Sequence, residues 1–395
     1  MLNTSKYARA LRGRLTFIDG LPILVVVGAR RTGKTTLLRS WYATLEGPKA
    51  WLDGDNPAHL LLWERLKGGQ EGGSWLHSLL GVDPSVSSGH LFLDEAQGLP
   101  EVSRLVKVLS DAHPRLRVVL SGSSALKLKD FTAESMAGRK QLLELYPLTL
   151  REYLSSVPLI QRASSAVGLL KEMLVWGGFP GVLSLPVGWQ RTGYLTEVLD
   201  STLYRDLLSE TRARDVGTLK RLLVYLARSV GGKLNTSNLA ATLEVSRITT
   251  TRYLDLLCEA SVITLLPGID LRGIVPKAQA KVYFLDNGLL SMLMADDRPF
   301  ELRRTEDQGA LLENWVVAEL LKTHHYSQES LVQLGYLWDK RGEIDLVALR
   351  GGAIESAWEV KLSETQGGSR ATRDALGDTP LQIVNLLEAA RLFSE

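Results

Sequence analysis

"LPILVVVGARRTGKTTLLRSW", residues 21–41, decides how the rest of the chain is read. It opens with an uninterrupted apolar run, Ile23 to Val27, bounded by Gly28. A run without polar alternation suits a strand covered on both faces, as in a parallel sheet. Gly28, Gly33, Lys34 and Thr35 then complete the pattern G-x-x-x-x-G-K-[ST]. In that pattern the glycines let backbone N–H groups close around phosphates. The lysine reaches the outer phosphates and the hydroxyl binds Mg²⁺. A helix-compatible run, Thr36 to Tyr42, follows and brings a helix N-terminus to the same place. The expected nucleotide-binding residues are Gly28, Arg31, Thr32, Gly33, Lys34, Thr35 and Thr36, and the expected cofactors are ATP and Mg²⁺.

Working outward, "HLFLDEAQ" is a short apolar strand ending in Asp94 and Glu95. Asp94 is expected beside the Mg²⁺ with Thr35, and Glu95 is expected to polarise the attacking water. A run ending in two acids says little alone, but behind a phosphate loop it is the second half of one site. A further strand, "RLRVVLSGSS", ends at Ser121 and is expected to lie between those two, with Ser121 facing the γ-phosphate.

The whole chain has 395 residues, 45% hydrophobic and 23% charged, the profile of a globular protein of two to four domains. No apolar stretch is long enough for a membrane span, and the first twenty residues lack the apolar core of a signal peptide. The single cysteine, Cys258, excludes an internal disulfide framework and points to a reducing, cytoplasmic setting. Its apolar surroundings mark it as inert core. Net charge is +2 but uneven. Residues 211–285 carry eleven Lys/Arg against five Asp/Glu, whereas residues 286–395 carry eleven against nineteen. The basic middle is the better match for a polyanion such as DNA.

The chain resembles AAA-family ATPases. More narrowly, it resembles the prokaryotic members that join such a core to a C-terminal domain of unknown function. The residues that carry the likeness are "GARRTGKTTLL", "FLDEAQ", "SGSS", "AGR", "YPLTLREYL", "WGGFPGV", "YRDLL", "KVYFLDNGLL", "LLENWVVAEL" and "GEIDLVAL", in that order along nearly the full length. The resemblance implies that Arg139, in "AGR" before the last core strand, reaches a neighbouring subunit's ATP site and stabilises charge on the transferring phosphoryl group. It also implies a hexameric ring of identical subunits. Pro180, in "GGFPG", corresponds to an element by which related signalling ATPases sense nucleotide from a helical lid.

The basic middle, "TLKRLLVYLARSVGGKLNTSNLAATLEVSRITTTRYLDLLCEASVI", reads as three helices. Thr236, Ser237 or Asn238 is expected to cap the second and Ser246 the third. Leu239, Leu243, Val245, Ile248, Leu254 and Leu257 are expected on the buried side of a helix-turn-helix. The third helix would offer Arg247, Thr249, Thr250 and Arg252 to a DNA groove. "VITLLPGI" and "AKVYFLD" would form a wing, with Arg272 and Lys277 on its loop. Winged helices also serve ATPases as lids, which is the competing expectation.

In the last quarter, "QGALLENWVVAELLKT" is amphipathic at helical spacing with Glu313 near its start. Two strands then turn at Arg350-Gly351-Gly352 and carry Asp345 and Glu359-x-Lys361. This set resembles the PD-(D/E)xK, or restriction-endonuclease-like, fold, with Ile344-Asp345 in place of the leading dipeptide. The resemblance implies that Asp345, Glu359 and Glu313 hold Mg²⁺ while Lys361 orients a water. Without metal, Glu359 and Lys361 would be a cross-strand ion pair.

The expected architecture is therefore α/β. It comprises an AAA-type ATPase core (residues 1–147), a helical lid (148–215), a winged helix (216–290) and a nuclease-like domain (291–395). The expected function is ATP-driven remodelling of, or translocation on, DNA, branched DNA included, without membrane association. The alternatives are an ATP-controlled Mg²⁺-dependent endonuclease and a nucleotide-switched regulator with a non-catalytic C-terminal domain.

Overall fold

The computed structural model describes the chain apart from residues 1–8, 18–20, 69–71, 83–87, 123–137, 203–215, 271–272, 275–278, 328–331, 340–341, 363–375, 378 and 395. Two compact units divide between Leu145 and Tyr146.

The first unit is an alternation of strands and helices. β1 (Ile23–Val27) is followed by α1 (Lys34–Thr44), β2 (Lys49–Asp53), α2 (Pro57–Gly68) and α3 (Gly72–Leu80). Then come β3 (Gly89–Asp94), α4 (Val102–Ala112), β4 (Leu116–Gly122) and β5 (Lys140–Glu144). The five strands form one sheet in the order β2-β3-β4-β1-β5, and every pairing is parallel. β1 has a strand on either side and all five of its side chains are buried, which is why its sequence shows no alternation. α4 buries Val102, Val106 and Leu109, one face at helical spacing, beneath the same sheet. Register aligns Val27 with Gly122 and Asp53 with Asp94. The C-terminal ends of β1, β2, β3 and β4 thus open on one edge, where open α/β sheets bind ligands.

The second unit begins with helices: α5 (Leu150–Leu154), α6 (Arg162–Trp176), α7 (Pro180–Leu183), α8 (Trp189–Ser201), α9 (Val216–Arg228), α10 (Thr236–Leu243) and α11 (Arg247–Glu259). Strands β6 (Ile263–Leu266), β7 (Gly268–Asp270), β8 (Gly273–Ile274) and β9 (Lys281–Phe284) lead to α12 (Asn287–Leu293) and to α13 (Thr305–Ser327). β10 (Val332–Asp339), β11 (Gly342–Arg350), β12 (Ala353–Val360), β13 (Leu381–Val384) and α14 (Leu386–Leu392) complete it. α5 opens with a capping box, Thr149 and Glu152 each satisfying the other's backbone N–H.

β6 and β9 pair antiparallel, as a wing requires, but β7 does not join them. It pairs with β10 in a six-stranded sheet of order β13-β12-β11-β10-β7-β8. The stretch read as one wing strand, "VITLLPGI", is cut at Pro267, which has no N–H for a ladder. β7 therefore crosses the sequence boundary drawn at residue 290. β10, β11 and β12 form an antiparallel meander, β13 runs parallel to β12, and Gly351 and Gly352 make the β11–β12 turn with φ of +59° and +86°. α13 starts eight residues before Glu313, which places that acid in its third turn rather than near its start.

Candidate functional site

The phosphate loop of the first unit is built by backbone demands that its sequence meets. Gly28 has φ +149°, and a Cβ there would overlap the Leu145 carbonyl oxygen. Gly33, at φ +97°, is the residue from which α1 starts. Arg31 accepts a left-handed conformation, φ +64°. Lys34 is buried, and its ammonium donates to the Gly28 and Ala29 carbonyls, 2.9 Å each. Thr32, also buried, donates to Ala29 O at 2.9 Å. Thr35 and Thr36 follow on the first turn of α1, Thr35 exposed. A cation is thus curled into a loop of small residues ahead of a helix N-terminus, a cradle suited to phosphate.

Asp94, at the end of β3, is 3% exposed and accepts from the Ser121 and Thr35 hydroxyls. Burial pushes its carboxyl above the usual range. The two hydroxyls oppose that shift, and the neighbouring charges of Glu95 and Asp53 add to it. Ser121 lies on β4 between β1 and β3, and its buried hydroxyl is directed at Asp94. Glu95 is half-buried in the left-handed region, φ +46°, and accepts from Gln97 Nε2 at 2.5 Å. The buried Asp94 carboxylate beside the Thr35 hydroxyl, with the charges of Glu95 and Asp53 close by, fits Mg²⁺. That ion uses few protein ligands alongside phosphate and water. Asp53 and Gln97 were not found by motif. Asp53 was accessible in principle as an acid closing the strand next to Asp94.

Arg139 directly precedes β5 and is part-exposed, with an ion pair to Asp111 of α4. Pro180, in the second unit, opens α7 and is buried. The turn before it is held from a distance: Asp286, 3% exposed, accepts from Gly178 N at 2.7 Å while capping α12 through Gly288 N and Leu289 N. The role of Asp286 was invisible in sequence, because its partner lies 108 residues away.

In the basic segment Asn235 caps α10, one residue ahead of the three expected, by accepting from Ser237 N and Asn238 N. Ser246 caps α11 as expected. Arg247 and Arg252 are exposed on α11 and Thr249 is half-exposed. Thr250 corrects the expectation: it is fully buried, with its hydroxyl donated to Ser246 O at 3.1 Å, so it offers nothing to a groove. Ile248, expected inside, is 83% exposed beside Arg247. Both exchanges follow from the helix phase: Thr250 shares the inward face with Tyr253 and Leu254. Arg272, Lys277 and the "YRDLL" motif at 204–208 lie outside the described residues. Cys258 is half-buried, and desolvation with the nearby charges of Asp255 and Glu259 pushes its thiol up to about 12.

The C-terminal acids do come together, in the second unit. Glu313 from α13, Asp345 from β11, and Glu359 and Lys361 at the end of β12 are electrostatic neighbours. Lys361 Nζ lies 3.0 Å from Glu359 Oε1, and Val360 N donates to Asp345 Oδ2 at 3.0 Å. Sequence reading missed Lys281 of β9, 5% exposed. Its ammonium lies 2.7 Å from Glu343, 3.7 Å from Asp345 and 4.0 Å from Glu313. Tyr283, also on β9, donates to Glu313 at 2.8 Å, and Lys233 pairs with Glu343 at 2.6 Å. Burial and the Asp345 charge push Glu313 up to about 7, against the pull of Lys281. Asp345 is raised by burial too, whereas burial of Lys281 is outweighed by its acids and its ammonium stays charged. Among the described residues no group of three His, Cys, Asp or Glu side chains is arranged to hold a metal. Glu313, Asp345 and Glu359, the residues expected to hold Mg²⁺, stand in an ion-pair network with Lys281 and Lys361. Lys281 and Tyr283 alternate with Val282 and Phe284, so period-two reading would have put them on one face.

The loop, the acidic strand end and the all-parallel sheet define a P-loop ATPase, and the AAA domain family matches residues 21–154. Two domains of unknown function, DUF8612 and DUF4143, match residues 167–299 and 308–379. The chain belongs to the same family as the uncharacterized protein Rv2008c of Mycobacterium tuberculosis, with 30% identity over 375 residues that cover 91% of this chain and 75% of the relative. An uncharacterized protein of Haemophilus influenzae is 27% identical over 365 residues, 90% and 85% of the two chains. Among solved structures, the Walker-type ATPase PABY2304 of Pyrococcus abyssi aligns with a TM-score of 0.43 and 17% identity over 74% of this chain and 94% of that one. No helix among the described residues is long and apolar enough to cross a membrane.

Proposed function

We propose that this chain hydrolyses ATP with Mg²⁺ and couples hydrolysis to remodelling of, or movement on, DNA, branched DNA included, as a ring of identical subunits in the cytoplasm. The observation that carries the hydrolytic reading is the convergence of Lys34, Thr35, Asp94 and Glu95 on one sheet edge. Thr35 and Asp94 would hold Mg²⁺, which supplies charge stabilisation to the phosphates. The Lys34 ammonium, now on loop carbonyls, would transfer to phosphate oxygens. Glu95 would orient and polarise the attacking water. Arg139, part-exposed just ahead of β5, is the candidate for action in trans.

The DNA reading is supported by the net +6 of residues 211–285 together with the exposure of Arg247, Ile248 and Arg252 on one capped helix. The β6–β9 pairing after three helices supports a winged helix. The order α13, a three-strand meander and then a strand parallel to β12 supports a restriction-endonuclease-like C-terminal fold. The regulator reading is favoured over the endonuclease by Lys281, which neutralises the acids a nuclease would keep for metal.

The test gives purified protein ATP, Mg²⁺ and a panel of duplex, single-stranded and four-way DNA, and reads ATP turnover, strand displacement and junction migration. Turnover raised by DNA with displaced strands or moved junctions supports the motor; DNA-insensitive turnover with no displaced strand sinks it. For the ring, Arg139→Ala should lose turnover at near-normal ATP affinity and regain part of it when mixed with Glu95→Gln. Full turnover by a monomer in the presence of ATP and DNA would refute the trans role.

A further inference from the structure

The C-terminal carboxylate cluster has a peculiarity that the sequence motif conceals: it contains its own cation. We infer that the Lys281 ammonium occupies the role of a metal in this cluster, and that the C-terminal domain binds no divalent cation there while Lys281 is present. The inference concerns metal binding alone and stands whether or not the chain acts on DNA.

Charge comes first. Glu313, Glu343, Asp345 and Glu359 face Lys233, Lys281 and Lys361, so four carboxylates meet three ammoniums. A catalytic metal centre needs uncompensated negative charge, because the oxygen ligands are what bind a hard dication. Here that charge is matched almost one for one by lysine.

Geometry says the same. Lys281 enters from β9, a different element from those that carry the acids, and is anchored at 2.7 Å to Glu343. From there its Nζ stands 3.7 Å from Asp345 Oδ1 and 4.0 Å from Glu313 Oε1, the oxygens an ion would have to bridge. Mg²⁺ demands such oxygens at about 2.0–2.1 Å in near-octahedral array. A dication there would sit against a buried ammonium and be repelled by it. Glu313 Oε1 also accepts from Tyr283, and Asp345 Oδ2 accepts from Val360 N. Within this cluster, among the described residues, Glu359 Oε2 is the one carboxylate oxygen buried without a hydrogen-bond partner. It is the oxygen best placed to take a metal once the ammonium is gone. Lys281 itself is tied into the fold, with its backbone pairing Leu266 of β6 and bridging Lys233. Its side chain is buried, unlike that of a surface lysine.

The test counts Mn²⁺ bound to nucleotide-free, full-length protein by equilibrium dialysis with electron paramagnetic resonance detection. Wild type and Asp345→Asn should bind the same number of ions, because neither uses this cluster. Lys281→Met removes the ammonium and keeps the stem's volume. It should gain one ion per chain, at least a hundredfold tighter than any wild-type binding here, and lose it again in Lys281→Met/Asp345→Asn. Tb³⁺ luminescence excited through Tyr283 should appear only in Lys281→Met. Lys281→Arg keeps a cation and should exclude the metal, so the comparison survives if the methionine variant fails to fold. The inference is overturned if wild type binds an ion that Asp345→Asn removes, or if folded Lys281→Met gains none.

Discussion

Asp286 offers the sharpest test of how the second unit is held together. It lies between β9 and α12, 3% exposed. Its Oδ1 accepts from Gly288 N at 2.9 Å and Leu289 N at 3.2 Å, and its Oδ2 accepts from Gly178 N at 2.7 Å. Asp286→Ala would leave three buried N–H groups without that acceptor, at about 1–3 kcal/mol each. Part of this is offset because the carboxylate no longer has to be buried, a cost visible in its raised pKa. A net loss of about 3–6 kcal/mol remains, against a total stability of about 5–15 kcal/mol for a domain. Asp286→Asn should behave differently. Asparagine caps helices as well as aspartate does, so the Gly288 and Leu289 bonds survive. Its amide NH₂ then faces the Gly178 N–H, and only that bond is lost, at about 1–3 kcal/mol. Urea unfolding with an unchanged slope measures both losses, and amide exchange locates them. Gly178 should lose protection in both variants, and Gly288 in Asp286→Ala only. Equal destabilisation by the two substitutions, or a loss below about 1 kcal/mol for Asp286→Ala, would refute the assignment of Asp286 as the clamp between the 177–180 turn and α12.

Glu319 supplies a pH prediction: it is buried, accepts from Leu150 N at 2.5 Å, and is pushed by burial up to about 7 from 4.5. The folded chain therefore binds a proton that the unfolded chain has already released between those values. Stability should fall as pH rises from 4.5 to 7 and level off above, by about 3 kcal/mol at ~1.4 kcal/mol per pH unit. Glu319→Gln should remove that share of the slope in urea titrations at several pH values, leaving the part owed to Glu313 and the other buried acids; an unchanged slope would contradict it. Lys34→Ala should abolish ATP binding, whereas Glu95→Gln should bind ATP and lose turnover by two orders of magnitude or more, read by fluorescent-nucleotide titration and phosphate release. Equal turnover by wild type and Glu95→Gln would end the case for Glu95. Arg247→Ala and Arg252→Ala should each reduce the salt dependence of DNA binding by about one unit of log–log slope, while Thr250→Ser, at a buried position, should leave that slope unchanged.

The ATP site was legible in the sequence because its determinants are local. Gly28, Gly33, Lys34 and Thr35 sit within one strand–loop–helix passage whose backbone needs are met by residue type alone. Asp94 and Glu95 are marked by the buried strand that precedes them. The core sheet was legible for the same reason: Ile23 to Val27 show no alternation because both faces are covered. Tertiary structure decided whatever depends on partners far away in the chain. It turned Thr250 inward and Ile248 outward, a matter of a helix phase that spacing alone places only to within a residue or two. It cut the expected wing at Pro267 and gave β7 to the C-terminal sheet. Above all, it brought Lys281 from β9 against Asp345 and Glu313. A motif records which ligands a chain owns but not which cation its fold sets among them, because electrostatic neighbours in a folded chain are chosen by packing and not by proximity in sequence.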